Sequence, residues 1–387
     1  MSNKEKRKPS PGTGQKKPEP QQKLVQLPFD TILKSICLKS NKGLLSEIIK
    51  RRNGANLVTL VLKENVQLAP DIVVPLFEVL KSIGKTDHID LFLSTTGGAT
   101  EVPWRIVSLV REFCTSYTAI IPFLAMSAGT HIALGADDLI MHELSTLGPV
   151  DPTTKHALLP REPETKKTIP VSVEDLKNCI KFISQQLSEE TNYSPSDMAN
   201  IVGQLFQHIE PLAIGAVERA YALSRLITKR VLETHLDPED DKDKIERIVD
   251  RIGGEYFSHS FPITLRDVEH DLQLKVKRPD SDLFDAIWAL HSHYKGCFGS
   301  RVNVNLTLTG NGDQKQVLFI VETLGYIDSV IQRRVLIQIR EVKMEPGTDR
   351  AVEQPLLTAW VIPNPDELPT SDTRYIASHL PPPAQAK

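Results

Sequence analysis

Cysteine is scarce in this chain. Its 387 residues hold four, Cys37, Cys114, Cys179 and Cys297, and no two of them form a C-x-x-C pair. With the cysteines so few and so widely scattered, neither a metal knuckle nor a disulfide framework is expected, and the thiols read as reduced residues of a cytoplasmic protein. Long apolar runs are missing too. The strongest, near Asp71 to Leu80 and Ala119 to Met126, fall well short of the roughly 18 to 20 residues that cross a bilayer, so no membrane-spanning segment is expected. The first residues show no apolar signal core, which argues against secretion. Neither sign of charge dominates: 46 Lys and Arg against 49 Asp and Glu give a formal charge of -3. That removes any global electrostatic case for nucleic acid or an anionic membrane. The phosphate-binding patterns G-x-G-x-x-G and G-x-x-x-x-G-K-[ST] are absent. His291 and His293 have no partners at zinc-ligand spacing, and no metal or cofactor is expected.

What remains is the composition of a globular protein, 40% hydrophobic and 25% charged, with material for a substantial core. Residues 1–24 carry seven Lys and Arg against two Glu, together with four prolines. They read as a disordered basic tail, the one place where nucleic acid or phospholipid could be touched. From Leu44 onward, helical and strand patterns alternate at intervals of roughly 20 to 30 residues, as a mostly parallel sheet with right-handed crossovers requires. Strands are expected at Asn56 to Leu62, Ile89 to Leu93, Tyr117 to Ile121 and Leu139 to Met141. Helices are expected at Leu44 to Arg52, Asp71 to Ile83 (stopped by Gly84), Pro103 to Cys114 and Ser127 to Leu134.

Thr153 to Pro170 is a long polar loop. Helical patterns follow at Val173 to Glu189, Ser196 to Gln207, Leu212 to Leu236 and Lys244 to Ile252. Two more come after these, one capped by Thr264 and one near Asp280 to His293. After Ser300 the apolar period switches from helical to two, which predicts a small antiparallel module. The expected organisation is therefore a basic tail at 1–24, an α/β domain at 25–299, a β module at 300–363 and a loose tail at 364–387.

Two turns carry the chemistry. Thr95-Thr96-Gly97-Gly98 closes one apolar run, and Ala125-Met126-Ser127-Ala128-Gly129-Thr130 closes the next. Both fall at strand ends, where open α/β sheets place their sites. Consecutive glycines free the backbone to aim amide N–H groups into a crevice, where they can hold an oxyanion. Ser127 opens a helix. A serine there is commonly an N-cap, but its hydroxyl can also act as a nucleophile, with the amide of Ala128 as a second oxyanion donor. His131, one helical turn on, reads as a core histidine, and Asp137-Asp138 as a strand-entry turn. Trp104 and Arg105 suit helix packing as well as they suit a substrate groove.

Taken together, LSTTGGAT, then PFLAMSAGTHIALGADDLIM about 30 residues later, then STLGPVDP, resemble the Clp/crotonase superfamily. More closely they are similar to the serine dehydrogenase proteinase family, relatives of signal peptide peptidase A and Clp protease. The segment Ser258-His259-Ser260-Phe261-Pro262-Ile263-Thr264 adds a weaker likeness. The resemblance implies a Clp/crotonase-like fold and a serine peptidase. Ser127 would attack, and the amides of Gly98 and Ala128 would hold the oxyanion. A peptide would lie extended against Thr96, Gly97 and Met126 by strand addition. It also implies self-association.

A serine needs a base. Clp relatives place a histidine where this chain has Pro152, and signal peptide peptidase relatives place a lysine further on. The candidates are His156, Lys155, Lys177 and Lys181, besides Lys166 and Lys167. Lys177 and Lys181 share one helical face, and a buried lysine can lose its proton near neutrality. Two alternatives stay open: an acyl-thioester enzyme using the same amides for an enolate, and a catalytically silent scaffold.

Overall fold

The computed structural model describes residues 40–151, 211–310, 313–345 and 350–363, with a few short pieces between and after them. The basic tail at 1–24, most of the 153–170 loop, most of the helical patterns at 173–189 and 196–207, and nearly all of the tail from 364 lie outside the described residues.

In chain order, α1 (Lys42–Arg51) leads into β1 (Asn56–Leu62), α2 (Val73–Ile83) into β2 (Thr86–Ser94), and α3 (Val102–Phe113) into β3 (Cys114–Ile120). Then come β4 (Leu124–Ala125), α4 (Ala128–Leu134), β5 (Asp138–Ile140) and β6 (Thr146–Leu147). The two-residue strands β7 (Thr153–Thr154) and β8 (Val171–Ser172) pair antiparallel. Helices α5 (Pro211–Leu232) and α6 (Lys242–Asp250) follow, and α6 runs on into a π-helical turn at Arg251–Glu255. Next are β9 (Ile263–Thr264), α7 (Leu265–His270), β10 (Val276–Lys277) and α8 (Ser281–Phe298). The chain continues through β11 (Arg301–Gly310), β12 (Asp313–Asp328), β13 (Arg333–Met344), β14 (Ala351–Val361) and β15 (Ile376–Ala377).

Every position of β1 after Asn56 is buried, as expected of a strand covered on both faces. Its side chains alternate between two cores. Val58 and Leu60 join Leu76, Ile106 and Ile132 under α2, α3 and α4. Leu57 and Val61 join Leu45, Ile48, Leu290 and Tyr294 under α1 and α8. Strands β1, β2, β3, β5 and β10 pair in parallel in that order. Helix ends follow their sequence signals. Gly84 at φ 83° stops α2, Thr264 and Asp267 form a capping box on α7, and the Asp280 side chain caps α8.

The C-terminal antiparallel strands are present, and they continue the parallel sheet instead of forming a layer of their own. β12 pairs antiparallel with β1 through Thr59↔Asp328 to Leu62↔Gly325. β11, β13 and β14 extend outward from it. A buried polar cluster fixes this junction. The Asp328 carboxylate accepts hydrogen bonds from Asn41 (2.7 Å), the Tyr294 hydroxyl (2.8 Å) and Arg333 (3.0 Å), and its amide donates to Thr59 Oγ1 (3.0 Å). The charge of Asp328 is thus buried with both oxygens satisfied, the condition for a buried ion to be tolerated.

A second, three-stranded sheet orders β4, β6 and β9. β6 runs parallel to β4 (Ala125↔Leu147) and antiparallel to β9 (Leu147↔Ile263). Its geometry positions the site.

Candidate active site

Ser127 sits where β4 turns into α4, at φ 51° and ψ -114°. A non-glycine residue there is strained, because the Cβ crowds the backbone in a region that glycine tolerates. The side chain gains nothing from capping, since it makes no cap hydrogen bond. The turn therefore holds a partly exposed serine hydroxyl in a costly conformation. That is the arrangement of a nucleophile on a sharp strand-to-helix elbow.

The glycine pair packs directly on this turn. Gly97 has φ 98°, and a Cβ on it would lie 2.8 Å from the Met126 carbonyl oxygen and 2.9 Å from Ser127 Cβ. Gly98 meets a different constraint. A Cβ there would come within 2.3 Å of the backbone of Leu68. Leu68 N–H donates to the Gly97 carbonyl and Ala99 N–H to the Leu68 carbonyl, both at 2.8 Å. The edge beside Gly97-Gly98, expected to receive an extended peptide, is thus occupied by this chain's own residues. The amides of Gly98, next to the glycine that packs on Ser127, and of Ala128 have no acceptor among the described residues, so two N–H donors stay free in these two turns. This is what an oxyanion hole requires.

The second sheet brings in two residues that sequence reasoning did not assign. Ser127 follows β4, Asp151 follows β6, and His259 precedes the oppositely running β9, so all three leave that sheet at the same end. Nδ1–H of His259 donates to Asp151 Oδ1 at 2.9 Å. Asp151 is buried, whereas the His259 side chain is 40% exposed. The Asp151 carboxylate raises the His259 pKa above the ordinary histidine value, against an opposing effect of burial. The limb carrying Asp151 is itself held down. Val150 N–H donates to the Ile252 carbonyl (2.9 Å) and Ser224 Oγ to the Val150 carbonyl (2.6 Å). Thr130, fully buried on α4, ties that limb to the nucleophile turn. Its Oγ1 lies 2.8 Å from the Ala125 carbonyl and 2.7 Å from the Gly148 carbonyl, and it accepts from Gly148 N–H at 3.0 Å.

The other expected residues fall as follows. Met126 lies against Gly148, where a Cβ would stand 2.5 Å from its Cε. Thr96 lines a separate pocket that Ser127 does not line. Lys181 is exposed and shares a groove with Tyr221, Asp250, Arg251 and Phe257. Lys155, His156, Lys166, Lys167 and Lys177 lie outside the described residues. His131 is a core residue, with Nε2 3.0 Å from Thr228 Oγ1 and a pKa pushed down to about 4 by burial. Trp104 packs on the core with the Arg230 guanidinium over its ring at 5.9 Å.

Residues 20–163 match the model of the family of ClpP-like SDH-type serine proteinases. Two uncharacterized proteins of Methanocaldococcus jannaschii are also similar. One is 30% identical over 135 residues, 35% of this chain and 46% of that protein. The other is 32% identical over 114 residues, 27% of this chain and 39% of that protein. The matches thus span less than half the length of these curated relatives. Among solved structures, the 1510-N membrane-bound stomatin-specific protease in complex with a substrate peptide is similar at 11% identity. It covers 67% of this chain and 87% of that one, with a TM-score of 0.33. A ClpP1 variant from Listeria monocytogenes is 12% identical, covering 63% of this chain and 98% of that one, with a TM-score of 0.30. No described helix is long and apolar enough to cross a membrane.

Proposed function

We propose that this protein hydrolyses peptide bonds with Ser127 as nucleophile, His259 as general base and Asp151 as the group that orients it. The observation carrying this reading is the conformation of Ser127: its hydroxyl is presented uncapped from a positive-φ turn on which Gly97 packs, and the amides of Gly98 and Ala128 have no acceptor among the described residues. The match of residues 20–163 to the model of the ClpP-like SDH-type serine proteinases supports a serine peptidase in general terms. His259 is preferred to the lysines because its Nδ1–H is fixed on a buried carboxylate. That leaves Nε2 as the nitrogen able to accept the serine proton.

In the proposed reaction Ser127 Oγ attacks the carbonyl carbon as His259 Nε2 takes its proton. The amides of Gly98 and Ala128 receive the oxyanion, and His259 returns the proton to the departing amine. Water then releases the acyl group by the reverse sequence. No metal or cofactor enters. Assembly into a homo-oligomer is part of the proposal.

The test is labelling by a fluorophosphonate probe followed by peptide mapping. The modification is expected on Ser127, lost in Ser127→Ala and strongly slowed in His259→Gln. Labelling that persists in Ser127→Ala, or that is indifferent to His259→Gln, overturns the assignment. An enzyme using only the two amides on an acyl thioester would keep its activity in Ser127→Ala.

A further inference from the structure

Backbone alternation gives the Ser94–Gly97 segment two faces. The Thr95 methyl packs toward Gly129 of α4, and Gly97 packs on Ser127. Ser94 and Thr96 face the opposite way, into a pocket of about 470 Å³. Leu124 lines that pocket as well, while the next residue, Ala125, faces Gly129. The pocket is therefore separated from Ser127 by one layer of backbone, and the C-terminal half of α8 closes its far side.

Its walls are apolar, from Val61, Leu62, Phe123, Leu124 and Phe298. Polar groups line it as well. His291 is 6% exposed, and its Nδ1 has no hydrogen-bond partner among the described residues. The lining also holds Lys63, Lys295 and Arg301 with Glu64 and Glu322. Counting the ion-pair partners Arg340 and Glu353 as well, the group holds four cations and three carboxylates, an excess of one positive charge. Lys295 combines both features of the site: it pairs with Glu64 at 2.8 Å, and its Nζ lies 5.6 Å from the Phe123 ring centre.

A concave, mainly apolar pocket of this size with a few convergent polar groups is the usual form of a small-molecule site. We propose that it binds a monoanionic carboxylate carrying an apolar tail. The tail fills the space between Phe123, Leu124 and Phe298. The carboxylate neutralises the surplus charge beside Lys295 and gives the buried His291 a partner. Because the backbone layer intervenes, this ligand does not occupy the acyl position at Ser127, and the inference does not depend on the peptidase reading.

The experiment titrates 4-phenylbutyrate into the full chain by calorimetry, with the neutral 4-phenylbutyramide as control. The acid is expected to bind at one site and the amide roughly tenfold or more weakly, because a charge-assisted contact is lost. Lys295→Met is expected to weaken the acid by a similar factor while leaving thermal unfolding unchanged, since the Lys295–Glu64 pair is about half exposed on both sides. Gly299→Phe should block the pocket. A Cβ at Gly299 meets nothing closer than 3.7 Å, so the backbone accepts the change. Ser127→Ala should bind as the unaltered protein does. The proposal is overturned by absence of binding, by equal affinity for acid and amide, by indifference to Lys295→Met, or by loss of binding in Ser127→Ala.

Discussion

His259 Nδ1 and Asp151 Oδ1 meet at 2.9 Å across 108 residues of chain. The carboxylate favours the protonated imidazole, so the His259 pKa lies above its usual value. A general base works in its neutral form. Hydrolysis should therefore rise with pH along a limb centred above the ordinary histidine value of about 6.5. In Asp151→Asn that limb should move to lower pH while the plateau falls, because the ring loses its orienting partner. A pH profile of kcat/KM checks both. The effect on stability has the opposite sense. The pair's contribution is fully present below the ordinary histidine value and is lost as pH rises through the raised folded value. The difference in Tm between the unaltered protein and His259→Gln should accordingly shrink on the alkaline side. A limb unmoved in Asp151→Asn would remove His259 from the role of base.

Ser127 stores strain that glycine would not feel. Ser127→Ala and Ser127→Gly both remove the hydroxyl, but only glycine accepts φ 51° and ψ -114° freely. Relief of roughly 1–3 kcal/mol of backbone strain outweighs the roughly 0.4–1 kcal/mol that glycine costs through the unfolded chain. The glycine variant should therefore unfold at higher denaturant concentration than the alanine variant. Equal midpoints would mean that the turn is not strained, and the argument for a nucleophile elbow would go with it.

The two halves of this site were not equally legible. β1 could be read residue for residue, because its apolar run is continuous in the chain. Gly97-Gly98 and Ser127 were also visible, since each stands at the end of a strand that local pattern reveals. Asp151 and His259 were present in quoted segments, STLGPVD and SHSFPIT, yet nothing local joins them. Their pairing follows from strands of two residues each, β6 and β9, too short to carry a period. The N-cap reading of Ser127 failed for a related reason: residue type cannot reveal a positive φ. The occupied edge at Leu68 likewise depends on a single bridge to Gly98, with no sequence signal of its own.

Gly98→Ala tests the bridge to Leu68. The new methyl would meet the Leu68 amide nitrogen and carbonyl oxygen at 2.3 Å, and backbone atoms cannot yield as a flexible side chain does. Overpacking of this kind costs about 1–3 kcal/mol or more. It must also displace the Gly98 amide, so kcat should fall by a factor of about 10² or more, as for loss of an oxyanion donor. Denaturant unfolding and single-turnover acylation measure the two effects. A variant of full activity would exclude Gly98 from the oxyanion hole.

Mild acid should destabilise the fold through its buried histidines. Burial holds His131 and His235 down to about 4. For such groups the stabilising effect is complete above the unfolded value of about 6.5 and declines as pH falls toward the folded value, because the unfolded chain binds the extra protons. Tm should drop between pH 7 and pH 5. His131→Gln, which cannot titrate, should show a shallower slope even if its Tm is lower throughout. Equal slopes would show that His131 is already protonated in the native protein.

Thr130 offers the sharpest separation of positioning from chemistry. Its hydroxyl accepts from Gly148 N–H and lies within bonding distance of the Ala125 and Gly148 carbonyls, so one buried atom links the Ser127 turn to the Asp151 limb. Thr130→Val keeps the shape but leaves the Gly148 amide without its acceptor, a cost of about 1–3 kcal/mol. No reacting group is removed. If Thr130 sets the distance between Ser127 and His259, acylation should slow in the variant, whereas the pKa governing the activity limb should stay in place, because the His259–Asp151 contact is untouched. Thr130→Ser retains the hydroxyl and should restore acylation. A Thr130→Val enzyme that is less stable but acylates at the original rate would make the link purely structural.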